Sequence, residues 1–257
     1  MSDKNKPFSL NDKTIIVTGA SSGIGRQCAI NCSQLGAKLI LMGRNTERLK
    51  ETLSSLDDNN EHLTYPLDLL DHDKLEEVLN DIESKLGNID GIINCAGIST
   101  TLPFRRVTPE KMDEFFQNNV TMGFNLCRLL IKKKLMSKNG GSIIFMSSVM
   151  GIVGETGKVL YGMTKGALIA GTKSLAIELA RKKIRVNCIS PGVVESPMSG
   201  KAIYSRDEAS LNRIKDMHPL GLGKAEDVAN ACIFLLSDAS TWVTGTNLIV
   251  DGGYTAR

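Results

Sequence analysis

Short apolar runs alternate with longer stretches of helical periodicity along most of the chain. The runs fall at 14–18, 38–42, 62–67, 91–95, 142–147, 184–189 and 247–250. Several are continuously apolar, such as Ile15-Ile16-Val17 and Ile143-Ile144-Phe145. Strands of that kind are buried on both faces, which parallel sheets require. The intervening segments carry helix boundary signals. Gly36 follows Leu35 as a C-terminal stop, and Thr108-Pro109-Glu110 offers an N-cap, a first-turn proline and an early acid. Strand–helix alternation implies right-handed crossovers. The pattern predicts an α/β fold: a doubly wound parallel sheet of seven strands with helices on both faces.

The stretch 196–217 breaks this rhythm. It is too long for a tight connection and holds no strand, which predicts a lid over a substrate. Leu211, Ile214 and Met217 recur there at helical spacing, opposite Arg206, Asp207, Glu208 and Lys215. A chain of 257 residues buries one substantial core, so residues 1–257 are expected to form one domain.

Composition narrows the function classes. Hydrophobic residues are 42% and charged residues 23%, as in ordinary globular chains. A net charge of +3 is too small to predict a nucleic-acid partner. No apolar run reaches the length of a membrane span. The polar, lysine-bearing segment 1–10 is not expected to be a signal peptide. The six cysteines form no CxxC pair, and with three histidines they predict no metal site. Cys28 and Cys32 are four apart, as two small residues on a buried helix face would be. Unpaired thiols fit a cytoplasmic protein. Lys132-Lys133-Lys134 and Arg181-Lys182-Lys183 read as cations at helix C-terminal ends. Trp242 is expected to pack beside the last strand.

Candidate chemistry begins at the first strand–helix junction. Thr18-Gly19-Ala20-Ser21-Ser22-Gly23-Ile24-Gly25 follows an apolar strand and opens a helix. Glycines let the backbone turn tightly and approach a pyrophosphate, while the helix N-terminus supplies free N–H groups. The second strand ends Leu41-Met42-Gly43-Arg44. A carboxylate there would bind both ribose hydroxyls of NAD; Gly43 and Arg44 instead suit the 2′-phosphate of NADP(H). Tyr161 and Lys165 are four apart, on one helix face. An ammonium about 4 Å from a phenol, at an effective dielectric of ~20, favours the phenolate by roughly 4 kcal/mol. A tyrosine that ordinarily titrates near ~10 then becomes an acid/base poised near neutrality.

The ordered set of motifs resembles the short-chain dehydrogenase/reductase family. Thr18 to Gly25 resembles its cofactor fingerprint, Asn94-Cys95-Ala96-Gly97 its Asn-Asn-Ala-Gly element, Tyr161 to Lys165 its Tyr-x-x-x-Lys, and Pro191-Gly192 its motif after the sixth strand. The likeness runs from about residue 12 to 253, with Cys95 in place of Asn and Ser196 in place of a common Thr. Similarity is greatest to 3-oxoacyl-acyl-carrier-protein reductase-type members. The resemblance implies that Gly19, Ser21, Ser22, Gly23, Ile24 and Gly25 hold the pyrophosphate. Asp68 with Leu69, and Asn94, Ala96 and Gly97, would line the adenosine side. Lys165 with Tyr161 would reach the nicotinamide ribose, and Pro191, Gly192, Val193 and Ser196 the carboxamide.

Family spacing to Tyr161 selects Ser148 over its neighbour Ser147 as the group that stabilises the substrate oxygen. Alignment through Val120 favours Asn119 over Asn118 as the residue fixing a water that links Lys165 to solvent. The implied reaction interconverts a ketone and a secondary alcohol by hydride transfer. Candidate substrate walls are Ser99, Leu102, Val153, Met198 and Tyr204. Arg105 and Arg206 are candidates for a substrate carboxylate, though neither is obviously placed. A non-catalytic NADP(H)-binding regulator is the alternative, against which Ser148, Tyr161 and Lys165 argue. A sugar-nucleotide epimerase would need a larger C-terminal domain. Relatives commonly assemble as tetramers, with Phe115, Phe116, Leu126, Leu168 and Leu175 as candidate contacts.

Overall fold

The computed structural model describes residues 7–58, 60–196, 198–199 and 208–256. Seven strands, β1 (Thr14–Thr18), β2 (Lys38–Gly43), β3 (Leu63–Pro66), β4 (Gly91–Asn94), β5 (Gly141–Met146), β6 (Ile184–Pro191) and β7 (Asn247–Val250), form one sheet in the order β3-β2-β1-β4-β5-β6-β7. Every neighbouring pair is parallel. The helices are α1 (Gly23–Gln34), α2 (Thr46–Leu53), α3 (His72–Leu86), α4 (Pro109–Phe116), α5 (Met122–Lys132), α6 (Val159–Leu179), α7 (Glu208–Asp216) and α8 (Ala225–Leu236).

Apolar residues continue through each central strand because both sheet faces are covered. Ile15 and Val17 join Cys28, Cys32, Val228 and Leu235 on one face. Ile16, between them, joins Leu75, Leu126 and Leu168 on the other. Helix starts follow local chemistry: Asn45, Asp71 and Thr108 accept from the N–H groups of Arg48, Lys74 and Lys111. Each such cap contributes about 1 kcal/mol. Gly36 takes φ +92° just past α1, a conformation that favours glycine.

Several expectations are corrected. β3 starts one residue late because the His62 side chain, not its strand pairing, serves the edge: Nδ1 accepts from the Leu39 N–H at 3.0 Å. The helix beginning at Pro109 is interrupted by a π turn at Gln117–Thr121. Trp242 is 98% exposed, because its neighbour Val243 takes the packing position against the core. Phe115, Leu126 and Leu168 are buried within the protomer and are core residues, so they offer no surface to a second copy. Of the segment expected to form a lid, residues 197 and 200–207, including Tyr204 and Arg206, lie outside the described residues. Its described helix, α7, buries Ile214 and half-buries Leu211.

Candidate active site

The strand order reverses between β1 and β4, so the connections after these strands diverge to opposite faces and leave a crevice at their carboxyl ends. A cleft of ≈ 470 Å³ occupies this place. A larger depression of ≈ 880 Å³ lies at the amino ends of β1, β4, β5 and β6. It contains none of the glycine-loop or Ser–Tyr–Lys residues, so the smaller cleft is the chemically relevant one.

Gly19, Ser21, Ser22, Gly23, Ile24 and Gly25 all line the cleft. Gly19 and Gly23 have φ of +66° and +55°. A Cβ on Gly25 would stand 2.5 Å from the Gly19 carbonyl oxygen, so the loop closes on itself only without side chains there. Ser22 caps α1 with extended backbone but no side-chain bond, and the first turn holds no acid. The first-turn N–H groups and the positive helix end thus meet the cleft without a competing acceptor, a donor set that fits a pyrophosphate.

The chemistry at the end of β2 also fits a 2′-phosphate. Arg44 lines the cleft, and a Cβ at Gly43 would lie 3.6 Å from Ser21 Oγ. Arg48 lines the same corner, a residue that the strand-end argument did not reach. It sits one turn along α2, and only the tertiary path of that helix brings it back. Asp68 and Leu69 line the cleft further along, and the Asp68 carboxylate accepts from the Leu70 N–H at 3.0 Å.

Two backbone approaches assemble the polar centre. β5 ends at Met146; Ser147 and Ser148 follow, then a 3-10 turn at Val149–Gly151. A Cβ on Gly151 would meet the Lys165 carbonyl carbon at 2.8 Å, and one on Gly162 would meet the Met150 oxygen at 2.7 Å. Those two glycines let the turn sit directly on α6, bringing Ser148 to the face of the helix that carries Tyr161 and Lys165. Ser147 Oγ donates to the Lys165 carbonyl at 2.8 Å, and is thereby committed to holding α6. Ser148 Oγ accepts from the Met150 N–H at 3.2 Å.

Lys165 is 6% exposed, and its Nζ donates to the Met146 carbonyl at 2.8 Å. It lies 5.4 Å from the Tyr161 ring centre. Burial lowers its pKa from 10.5 to about 8, with Cys188 and Cys95 pulling it weakly upward. Asn119 sits in the π turn, a device common at functional sites. Its Oδ1 accepts from the Ile98 N–H at 2.7 Å, and its Nδ2 donates to Ile98 O and Thr164 Oγ1, each at 3.0 Å. The Asn119 side chain is a strut between the segment after β4 and α6. Asn119 itself does not line the cleft; its neighbour Asn118 does, with its Nδ2 donating to the Glu114 carbonyl at 2.9 Å inside its own helix.

Not every expected residue reaches the cleft. Ala96 and Gly97 line it, but Asn94 does not. Asn94 Nδ2 turns to the Ile144 carbonyl at 3.4 Å and to Cys127 Sγ, on the α5 side of the sheet. Pro191, Gly192, Val193 and Ser196 line it, yet both main-chain groups of Val193 are engaged: its N–H donates to His218 Nε2 at 3.1 Å and its carbonyl accepts from Gly223. His218, 2% exposed, was missed by sequence reasoning. It ties the end of α7 to this segment, a contact that no local pattern announces. Ser99 and Met198 line the cleft, whereas Leu102 and Val153 do not. Among the described residues, no cluster of metal-ligating groups is present.

The buried ammonium has a stability consequence. Below pH 8 both folded and unfolded chains carry the Lys165 charge, and its burial is a full penalty. Between pH 8 and 10.5 the unfolded chain binds the extra proton, so this contribution to stability improves as pH rises. Lys165→Met should therefore be more stable than the parent at pH 7, by about 1–3 kcal/mol after the loss of one hydrogen bond. That gain should shrink toward pH 10.5. Urea unfolding at pH 7 and pH 10 measures both; a variant less stable at pH 7 would contradict the assignment of the penalty.

Comparison with known proteins identifies the family. A family model described as Enoyl-(Acyl carrier protein) reductase matches residues 19–255. The 3-oxoacyl-[acyl-carrier-protein] reductase FabG of Thermotoga maritima is 37% identical over 250 residues, covering 95% of this chain and 98% of the relative. Its Rickettsia prowazekii counterpart is 38% identical over 245 residues, covering 95% and 97%. Among solved structures, one described as a short-chain alcohol dehydrogenase from Sinorhizobium meliloti superposes with a TM-score of 0.90 at 31% identity, covering 98% of this chain and 99% of that one. Another, described as an NAD(P) dependent gluconate 5-dehydrogenase from Beutenbergia cavernae with bound NADP, gives 0.88 at 29% identity, covering 98% and 100%. The chain belongs to the short-chain dehydrogenase/reductase family, of the 3-oxoacyl-acyl-carrier-protein reductase type, and is an NADP-dependent oxidoreductase acting between ketone and secondary alcohol.

Proposed function

We propose that Tyr161 is the general acid that protonates the carbonyl oxygen during reduction, and the base in the reverse direction. The single observation that carries this is the shared cleft wall of Ser148, Tyr161 and buried Lys165. When bound, the dinucleotide supplies the hydride. Ser148 Oγ donates to the substrate oxygen as negative charge grows there, and Lys165 stabilises the phenolate left on Tyr161. Asn119, through its clamp on Ile98 and Thr164, holds the wall beside Lys165 and the π-turn backbone that serves the proton path. Arg44 and Arg48 take the 2′-phosphate; Gly19 to Gly25 take the pyrophosphate; Asp68, Leu69, Ala96 and Gly97 line the adenosine side. Pro191, Gly192 and Ser196 face the nicotinamide. A purely regulatory NADP(H)-binding role would leave this assembled set of acid/base groups without a use.

The substrate is a small carbonyl compound. The activities named for relatives divide between a carrier-bound 3-oxoacyl thioester, which is neutral at the acyl end, and gluconate, which carries a carboxylate. The six free cysteines support a reducing, cytoplasmic setting. Among the described residues, no helix is long and apolar enough to cross a membrane.

The assembly is proposed to be a homotetramer. Helix α6 presents Val159, Met163 and Ile177 to solvent, with exposures of 44%, 43% and 78%, although its other side is already in the core. Apolar residues on both sides of one helix fit burial against a second copy.

NADPH oxidation followed against a panel of ketones tests the chemistry. Tyr161→Phe should lose turnover by at least about a thousandfold while NADPH affinity stays within about twofold, as loss of an essential acid/base group requires. Arg44→Ala should weaken NADPH by roughly tenfold and leave NADH nearly unchanged, because one charge-assisted contact disappears. Substantial turnover by Tyr161→Phe would exclude the mechanism. Light scattering at micromolar concentration should give four times the monomer mass; a monomer would refute the assembly.

A further inference from the structure

Lys158 stands three residues before Tyr161, at the N-cap of α6, and lines the same cleft. Its backbone is fixed on both sides. Gly157, with φ +78°, packs so closely that a Cβ would lie 2.9 Å from Thr101 Cγ2, and its carbonyl accepts from the Leu102 N–H at 2.9 Å. The Lys158 carbonyl accepts from the Gly162 N–H at 2.7 Å. The side chain is held as well: Nζ donates to the Thr100 carbonyl at 3.3 Å and lies 5.8 Å from the Tyr161 ring centre. Tyr161 therefore has two ammonium groups near its ring, Lys165 on one account and Lys158 on another.

Lys158 differs from the ion-paired lysines of the outer surface by its place in the cleft. Lys13, Lys50, Lys74, Lys85 and Lys111 each pair with a carboxylate. Lys158 is half-buried, and burial lowers its pKa, yet it makes no ion pair among the described residues. Glu155, on the same cleft wall, offsets that effect only at longer range. Desolvating a cation without a counter-charge is unfavourable, and clefts are where such arrangements are retained for ligands. An ammonium has three N–H donors, of which Thr100 takes one. The remaining donors stand beside the phenol that protonates the carbonyl.

We infer that Lys158 is the anion anchor of the substrate end, and that the preferred substrate is a ketone bearing a carboxylate close to the carbonyl, a 3-oxo acid or sugar-acid type of compound. This rests on the assignment of Tyr161 as the acid. The ion pair forms in a cleft partly withdrawn from water, where it is stronger than on the surface. It would also fix the substrate's orientation, because a carboxylate held by Lys158 and an oxygen held by Ser148 and Tyr161 define the carbonyl's position between them.

The test compares acetoacetate with methyl acetoacetate as substrates, and 3-hydroxybutanoate with its methyl ester as dead-end ligands of the NADPH-loaded protein. The parent should favour each acid over its ester by about tenfold or more, the scale of one charge-assisted contact. Lys158→Gln keeps an N–H donor for Thr100 but removes the charge. It should erase that preference, mainly through KM and ligand affinity. Lys158→Arg should restore most of the preference.

An ester bound or reduced as well as the acid by the parent would overturn the inference. So would a Lys158→Gln variant that loses acid and ester equally, which marks a role in shaping the wall or tuning Tyr161. The dead-end binding arm needs no turnover, so it decides the Lys158 assignment independently. Failure of Tyr161 as the acid would show itself separately, as retained turnover in Tyr161→Phe.

Discussion

Lys165 is a buried ammonium seated at the carboxyl end of β5, where it donates to the Met146 carbonyl and lies beside the Tyr161 ring. The neighbouring structure is arranged to hold it there. Ser147 grips the Lys165 carbonyl, Gly151 and Gly162 permit the turn after β5 to lie on α6, and Asn119 braces Thr164, the residue just before the lysine. Burial of a charge of this kind opposes folding, since it lowers the lysine's pKa to about 8. The surrounding hydrogen bonds keep the lysine in place against that penalty. Stability is given up at one position to keep an ammonium beside the Tyr161 ring.

The same constraint explains the composition of the cleft walls. Backbone approaches too close for a Cβ occur at Gly19 and Gly25 on the nucleotide side and at Gly151 and Gly162 on the catalytic side. In each case a loop is pressed against a helix or strand end, and the functional groups on either side are brought together by that approach. Ser22 leaves the first turn of α1 without a side-chain cap, whereas Asn45, Asp71 and Thr108 cap α2, α3 and α4. An uncapped helix start leaves its first N–H groups available to an anion in the cleft, whereas a side-chain cap satisfies one of them internally.

At the far end of the cleft, charge is distributed unevenly. Arg44 and Arg48 gather at the end of β2, Lys165 sits at the centre, and Lys158 stands over the substrate side, with Asp68 and Glu155 as the carboxylates of the lining. In the function proposed above, the arginines serve the dinucleotide phosphates and Lys165 serves the tyrosine. Lys158 is the cation for which the common chemistry of the fold has no use, which is why its fixed position points to the substrate.

The sequence by itself determined the architecture, because continuous apolar strands separated by helices leave few alternatives to a doubly wound parallel sheet. It also determined the nucleotide loop and the Tyr161–Lys165 pair, since glycine spacing and an i, i+4 interval are local and survive any tertiary arrangement. Tertiary structure decided what depends on direction and distance. Ser147 and Ser148 are chemically identical neighbours that both line the cleft, and only the packing of α6 commits the Ser147 hydroxyl to the helix backbone. Asn94 has the right neighbours in sequence, but its side chain turns toward α5. Trp242 and the buried Phe115 exchange the roles expected of them, because hydrophobicity alone does not say whether the core has room. Arg48 joins the site, and His218 braces it, from positions with no local signature, since each is brought there by the path of a helix or loop folding back over the strand ends.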